Sequence, residues 1–157
     1  MRNQKGLDQA EIDRVNMMWE FVSPTSTTRH ETLESSILSG FEVSLDLSNA
    51  TVSGSKTVYS ETTNTIRVGS DILPGVGPVG CANSLMSALA CLCHELSHAH
   101  RFHMGFRRPI EGIDVNLDEA ETSIHASYMP FLSPGERNHL VEDAQQRLDV
   151  WINGGTR

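Results

Sequence analysis

The chain has 157 residues, of which 38% are hydrophobic and 20% charged, and its formal net charge at pH 7 is −8. This length fits one domain, residues 1–157, with its own hydrophobic core. The acidic balance argues against a nucleic-acid partner, because phosphate binding requires clustered lysine and arginine, and no apolar run approaches the roughly 20 residues of a membrane-spanning helix.

The first eleven residues are polar and lack the apolar centre of a secretory signal. We therefore expect either a cytoplasmic protein or one exported by a signal-independent secretion system. The cysteine count is odd: Cys81, Cys91 and Cys93. Because Cys91 and Cys93 lie two apart on a predicted helix and point in different directions, we expect free thiols that pack as small core residues in a reduced compartment.

The first half of the chain predicts one helix followed by strands and loops. Apolar residues at helical spacing predict a helix over residues 8–22, which Pro24 ends. A Ser/Thr-rich loop that includes His30 follows. Alternation of apolar and polar residues predicts a half-buried strand over 41–47, and two short strands are expected around 56–60 and 65–68 before an irregular Gly/Pro-rich loop.

The second half predicts three helices. The clearest covers residues 83–104, with Asn83 as its N-cap and Gly105 as its C-terminal stop. A shorter helix is expected over 118–128. The last begins at Ser133, where Pro134 occupies the first helical position and Glu136 completes a capping box. Strands followed by helices indicate an α+β domain.

The helix over 83–104 carries the spacing H-E-x-x-H at residues 94–98. Residues four apart project from the same side of a helix, so His94 and His98 are expected to bind one Zn²⁺ through ring nitrogens at about 2.0–2.1 Å. Glu95 lies about a quarter-turn away, in the position of the general base in metalloproteases with this motif. A leucine ridge that includes Leu92 and Leu96 lies on the opposite side, which predicts one buried flank and one flank facing a cleft.

Two histidines and a water leave a tetrahedral zinc site one protein ligand short. The metzincin pattern requires a glycine and a histidine where this chain has Arg101 and Met104, so that pattern fails. His100 and His103 are turned away from the His94 side, and we interpret them as polar groups on the helix flank.

The acidic helix over 118–128 is the better source of a third ligand. Glu119 and Glu121 are the candidates, and they cannot both face the metal because about 200° separates them on a helix. Glu119 shares its face with Thr122 and Ser123, whereas Glu121 shares its face with His125, which would then orient a ligand or donate to the transition state. The residues themselves leave this choice open.

The motifs His94-Glu95-Leu96-Ser97-His98-Ala99 and Asp118-Glu119-Ala120-Glu121-Thr122 resemble those of compact zincin-type metalloproteases that bacteria deliver as type III effectors. The resemblance covers roughly residues 60–126, with Asp118 in place of the first glutamate of the family's second motif. It implies a minimal zincin-like fold, in which a short, mostly antiparallel sheet packs on the active-site helix beside two or three further helices. It also implies Glu119 as the third zinc ligand, a role as a secreted effector or toxin, and a cleft rim formed by the strand at 56–60 or at 65–68.

These observations predict a zinc-dependent endopeptidase acting on a protein or peptide substrate, with Glu95 as general base. His125 and Tyr128 are candidate donors to the oxyanion. The alternative is a zinc-binding regulatory or protein-interaction module without catalysis. The basic group Arg101, Arg107 and Arg108 is expected to neutralise a helix end or to hold the carboxylates of a partner.

Overall fold

The computed structural model describes residues 1–24, 41–76 and 81–154. Within these ranges, five α-helices and three short strands form a small α+β fold. The strands are β1 (Ser44–Asp46), β2 (Val58–Ser60) and β3 (Thr65–Arg67). The helices are α1 (Gln9–Val22), α2 (Ala82–Leu85), α3 (Ala88–His103), α4 (Asp114–Ser127) and α5 (Pro134–Ile152). The predicted loop that includes His30 lies outside the described residues, as does the second half of the Gly/Pro-rich loop.

The sheet has the order β1-β3-β2 and is mixed. β1 pairs with β3 in parallel, and β2 pairs with β3 in antiparallel register. The prediction of a mostly antiparallel sheet is therefore correct for only one of the two strand pairs. The parallel pair arises because the chain after β1 passes through turns and returns across β2 before it enters the centre of the sheet. β3 is paired on both sides, which leaves β2 at an edge.

Helix α3 lies at the centre of the fold. Residues 90–99 are all buried, and α3 packs against α1 and β2 on one side and against α4 and α5 on the other. Two members of the predicted leucine ridge, Leu92 and Leu96, are fully buried in the core, whereas Leu85, on α2, is 44% exposed. The opposite flank is also covered, but by polar residues of α4 and α5, which makes the ligand side a small enclosed cavity instead of a broad cleft.

The predicted helix over 83–104 is two helices. The chain leaves helical geometry at Met86, and α3 starts anew at Ser87, whose hydroxyl accepts a hydrogen bond from Ala90 N at 3.1 Å. Ser87, and not Asn83, is therefore the N-cap, and it also donates to Glu136 of α5 at 2.6 Å. The expected stop is confirmed: Gly105 follows α3 with φ +96°, a conformation that favours glycine.

The other helix ends lie close to the positions predicted from the sequence, with one exception. Asp8 and Glu11 form a capping box at the start of α1, and Ser133 and Glu136 form the predicted one at the start of α5. Helix α4 begins at Asp114, one turn earlier than expected. Among the described residues, no helix is both long enough and apolar enough to cross a bilayer.

The three cysteines are free thiols, as predicted. Cys91 and Cys93 are buried in the core, and Cys81 is half-buried before α2. Burial raises the pKa of Cys91 to about 12, so this thiol stays protonated near neutral pH.

Candidate metal centre

Three buried side chains from two helices converge beside α3. His94 and His98 project from α3, and Glu119 projects from the facing surface of α4. One donor atom from each of the three lies within 4.8 Å of the others. His94 Nε2 is 3.2 Å from Glu119 Oε2, and His98 Nε2 is 3.3 Å from Glu119 Oε1. Both imidazoles therefore present the same ring nitrogen to one carboxylate.

The far side of the His98 ring is fixed by a hydroxyl of α4. Thr122 Oγ1 donates to the backbone oxygen of Asp118 at 2.8 Å and lies 3.3 Å from His98 Nδ1. Because the only hydroxyl proton of Thr122 is used, His98 Nδ1–H is the donor in this contact. Burial is the largest factor that lowers the pKa of His98, to about 4, so the ring is neutral near pH 7. Its Nε2 then carries a lone pair, and this buried atom has no hydrogen-bond partner.

The His94 ring is fixed in the same way, with a further connection to α5. Ser123 Oγ donates to Asp143 Oδ2 at 2.8 Å and lies 3.0 Å from His94 Nδ1. With the serine proton committed to Asp143, the imidazole donates from Nδ1 and turns Nε2 toward Glu119. Asp143 is only 2% exposed, so this connection is shielded from solvent.

Glu119 completes an electron-rich group. Two imidazole lone pairs thus face an ionised carboxylate with no proton of their own to share. Such a cluster is favourable when a cation lies between its members, and two histidines with one glutamate are a donor set that suits zinc.

Two arginines approach Glu119 from outside the cluster. Arg108, after α3, forms an ion pair with Glu119 Oε1, and Arg147 of α5 lies 3.2 Å from Glu119 Oε2. Arg147 is held in turn by Asp143, which accepts from its Nε at 2.7 Å. A closed set of contacts therefore joins α3, α4 and α5 around the three converging side chains.

Glu95 lies next to the cluster, on the side of the sheet. It is 7% exposed, and its Oε2 accepts a hydrogen bond from the backbone nitrogen of Tyr59 in β2 at 2.7 Å. Burial is the largest factor that raises the pKa of Glu95, which brings the carboxylate closer to the range in which a general base operates. The edge of β2 is thus attached directly to the H-E-x-x-H segment.

A polar cavity of about 180 Å³ connects these groups. His94, Glu95 and Glu119 line it from the helices, and Thr57 and Val58 line it from the start of β2. Its walls also include Arg2, Arg108 and Arg147. The volume corresponds to about six water molecules, so a small part of a substrate fits beside the three converging side chains.

The structure places Glu121, His125 and Tyr128 away from this cavity. The side chain of Glu121 is 55% exposed and is paired with Arg101 at 2.5 Å. Together with His125 and the exposed Tyr128 it lines a separate, apolar hollow between α4 and α5. The cluster therefore includes Glu119 and not Glu121, and the predicted oxyanion donors His125 and Tyr128 are not among the residues that line the cavity.

The remaining histidines of α3 lie on its flank, as predicted. His100 Nδ1 is 3.1 Å from His125 Nε2, and His103 is exposed and contacts Asn64. His125 Nδ1 also lies 3.2 Å from Ser97 Oγ. These contacts connect α3 to α4 on the side that faces away from the cavity.

The basic group neutralises a helix end, as predicted, and it also holds carboxylates of this chain. Arg107 donates to the backbone oxygen of Phe102 at the end of α3, where a cation stabilises the helix dipole. Arg101 and Arg108 hold carboxylates of α4: Arg101 pairs with Asp118 at 3.1 Å, and Arg108 pairs with Glu119. Their carboxylate partners therefore belong to this chain.

Asp143 and Arg147 belong to the site although no sequence motif points to them. A signal was present, since both lie on the stripe of α5 that carries Leu140 and Ala144, which are fully buried. Charged residues on a buried stripe are rare unless they are paired.

Comparison of the chain with protein-family models, with curated proteins and with solved structures finds no match.

Proposed function

We propose that this protein is a zinc-dependent endopeptidase and that His94, His98 and Glu119 hold the metal. The observation that carries the proposal is the convergence of these three donors, within 4.8 Å of one another, beside a polar cavity lined by His94, Glu119 and Glu95. The orphaned Nε2 of His98 supports it, because a buried ring nitrogen without a partner is costly unless a ligand satisfies it.

Zinc, when bound, would supply Lewis acidity, which polarises a carbonyl group and makes water a stronger acid. The chain's own contribution is proton transfer: Glu95 accepts a proton from the attacking water and passes it to the leaving amine. The hydrogen bond from Tyr59 N holds the Glu95 carboxylate at the cavity wall while leaving its second oxygen for this task.

The edge strand β2 is the element that we propose for substrate binding. β3 is paired on both sides, so the outer edge of β2, the strand next to the cavity, is open to another strand except at Tyr59 N, which donates to Glu95. Thr57 and Val58 lie at the cavity itself. A peptide in extended conformation that pairs with this edge would bring a backbone carbonyl beside Glu95.

The proposal is tested on purified protein by metal analysis and by digestion of a diverse peptide library. We expect one zinc per chain and peptide cleavage in the wild type. Glu95→Gln should retain zinc and lose cleavage by at least about 100-fold, which is the smallest usual contribution of a general base. Glu111→Gln, at an exposed position in the loop before α4, is the matched control and should cleave normally.

Two further variants separate catalysis from metal binding. His98→Ala should abolish stoichiometric zinc, whereas His103→Ala, on the same helix but exposed, should retain it. Zinc binding without cleavage of any peptide would favour the alternative, a metal-binding regulatory or protein-interaction module. Absence of zinc from the wild type after reconstitution would refute both.

A further inference from the structure

Two guanidinium groups in the cavity wall are unusual for a chain with a formal net charge of −8. Arg108 and Arg147 both reach Glu119, and their side chains are 33% and 24% exposed. Arg2 also lines the cavity, but its three nitrogens donate to backbone oxygens, so it serves the fold. Arg108 and Arg147 are therefore the cations that a ligand in the cavity can reach.

Arg108 and Arg147 each have N–H donors that make no hydrogen bond to the described residues. Arg147 uses Nε for Asp143 and Nη1 for Glu119, and its Nη2 makes no hydrogen bond to the described residues. Arg108 uses Nη2 for Glu119, and its Nη1 likewise makes no hydrogen bond there. A guanidinium presents five N–H donors in a planar fork, and carboxylates are the partners that fit this fork best.

The charge of the cavity changes when a metal binds. The lining residues comprise three cations, the arginines, and three anions, Asp71, Glu95 and Glu119. These charges balance, and the Asp143 carboxylate behind Arg147 adds one negative charge, so a divalent cation on His94, His98 and Glu119 leaves this group of residues positive by one. A positive, partly enclosed site with unused N–H donors favours an anionic ligand.

We propose, on the basis of the function proposed above, that Arg108 and Arg147 select a substrate carboxylate next to the bond to be cleaved. The carboxylate belongs to an aspartate or glutamate side chain of the substrate or to its free C-terminus. A peptide paired with β2 would direct such a group into the cavity, on whose walls the two guanidinium groups lie. Arg147 is positioned for this by Asp143, and Arg108 by its contact with Glu119.

The test is digestion of a diverse peptide library by the zinc-loaded wild type and by Arg108→Gln and Arg147→Gln. We expect wild-type cleavage sites to be enriched in aspartate and glutamate at one position beside the cleaved bond, or to be confined to bonds near a free C-terminus. Both variants should lose this preference: kcat/KM for acidic peptides should fall about tenfold or more relative to kcat/KM for neutral peptides, because a charge-assisted hydrogen bond to the substrate carboxylate is lost. Arg14→Gln, at an exposed position of α1, removes the same charge elsewhere and should retain the preference.

Matched peptides then identify the source of the carboxylate. Replacing the acidic residue by its amide abolishes cleavage if a side chain is recognised, and amidating the C-terminus does so if the terminus is recognised. Arg108→Lys and Arg147→Lys should restore part of the preference, which a merely structural role would not do. Zinc content and thermal unfolding identify any variant that has lost its fold, and Arg108→Gln, outside the helices, then carries the test.

Each outcome is decisive. Cleavage by the wild type without an acidic or C-terminal preference overturns this inference and leaves the proposed peptidase intact. A preference that persists in both glutamine variants also overturns it. No cleavage of any peptide by the zinc-loaded wild type overturns the peptidase and this inference together.

Discussion

Asp143 of α5 is connected to His94 of α3 through one intervening hydroxyl group, that of Ser123 on α4. The hydroxyl donates to Asp143 at 2.8 Å and accepts from His94 Nδ1 at 3.0 Å. This arrangement fixes which ring nitrogen of His94 carries the proton and in which direction the ring points. Groups behind metal-bound histidines commonly have this effect, since they set both the tautomer and the basicity of the ligand.

We therefore expect Ser123→Ala and Asp143→Asn to weaken zinc binding by about 10- to 100-fold, the usual effect of removing such a partner. Competition with a chelator of known affinity measures the change. Ser127→Ala, on the same helix, and Asp149→Asn, at an exposed position of α5, are the matched controls and should bind zinc as the wild type does. Equal affinity in all four variants would contradict the connection from Asp143 to His94.

The third metal ligand is tested by comparing variants of Glu119 and Glu121. Glu119 is buried between two imidazoles, whereas the Glu121 side chain is 55% exposed and pairs with Arg101. Glu119→Gln removes the negative charge and should weaken zinc binding by at least about 100-fold, since it removes a direct ligand and not merely a group behind one. Glu121→Gln should stay within about threefold. Competition with the same chelator measures the zinc affinity of both variants. A larger loss of affinity in Glu121→Gln than in Glu119→Gln would reverse our assignment.

Local spacing was enough to group His94, Glu95 and His98, because residues one and four apart on a helix have fixed relative directions. It also placed Thr122 and Ser123 on the face of Glu119, and the structure brings both hydroxyls to the two histidines. Spacing could not decide between Glu119 and Glu121, since it does not say which face of α4 packs against α3. That choice depends on tertiary contacts, among them the pairing of Arg101 with Glu121.

The parts of the fold that the sequence did not predict also depend on contacts between distant segments. Ser87 rather than Asn83 caps α3, and its hydroxyl is held by Glu136, 49 residues later. Asp143 and Arg147 join the site only because α5 packs across α3 and α4. The parallel pairing of β1 with β3 is likewise a matter of topology, which an alternating pattern in one strand does not encode.

The contact between His100 and His125, on the side of α3 that faces away from the cavity, predicts that the stability of the fold depends on pH. Burial, the largest factor, together with the nearby His100 and Arg101, lowers the pKa of His125 to about 4. A histidine in an unfolded chain titrates near about 6.5. Between these two values the unfolded state binds more protons than the folded state, so the contribution of His125 to stability is present above pH 6.5 and is lost as the pH falls toward 4.

Denaturation with urea at several pH values tests this expectation. Between pH 7 and pH 4.5, the free energy of unfolding should fall more steeply in the wild type than in His125→Gln, in which the titrating group is absent. His139→Gln, on α5, is the control and should have the same slope as the wild type, since it lies outside the contact with His100. Parallel curves for the wild type and His125→Gln would show that His125 titrates normally in the folded state.

Arg101 is the residue whose loss should most weaken the packing of α3 against α4. It is buried, pairs with Asp118 at 3.1 Å, and donates from Nη1 to Asp118 O and Thr122 Oγ1 at 2.7 and 2.6 Å. Arg101→Ala leaves the carboxylate of Asp118 buried without its nearest cation, and breaking a buried ion pair in this way usually costs about 3–5 kcal/mol of unfolding free energy. We expect the lower end of that range, because Arg108 lies 3.9 Å from the same carboxylate. Urea denaturation measures the loss. Arg107→Ala, an exposed neighbour on the same segment, is the control and should lower the free energy of unfolding by less than about 1 kcal/mol. Similar losses in Arg101→Ala and Arg107→Ala would mean that the contacts of Arg101 do not hold the helices together.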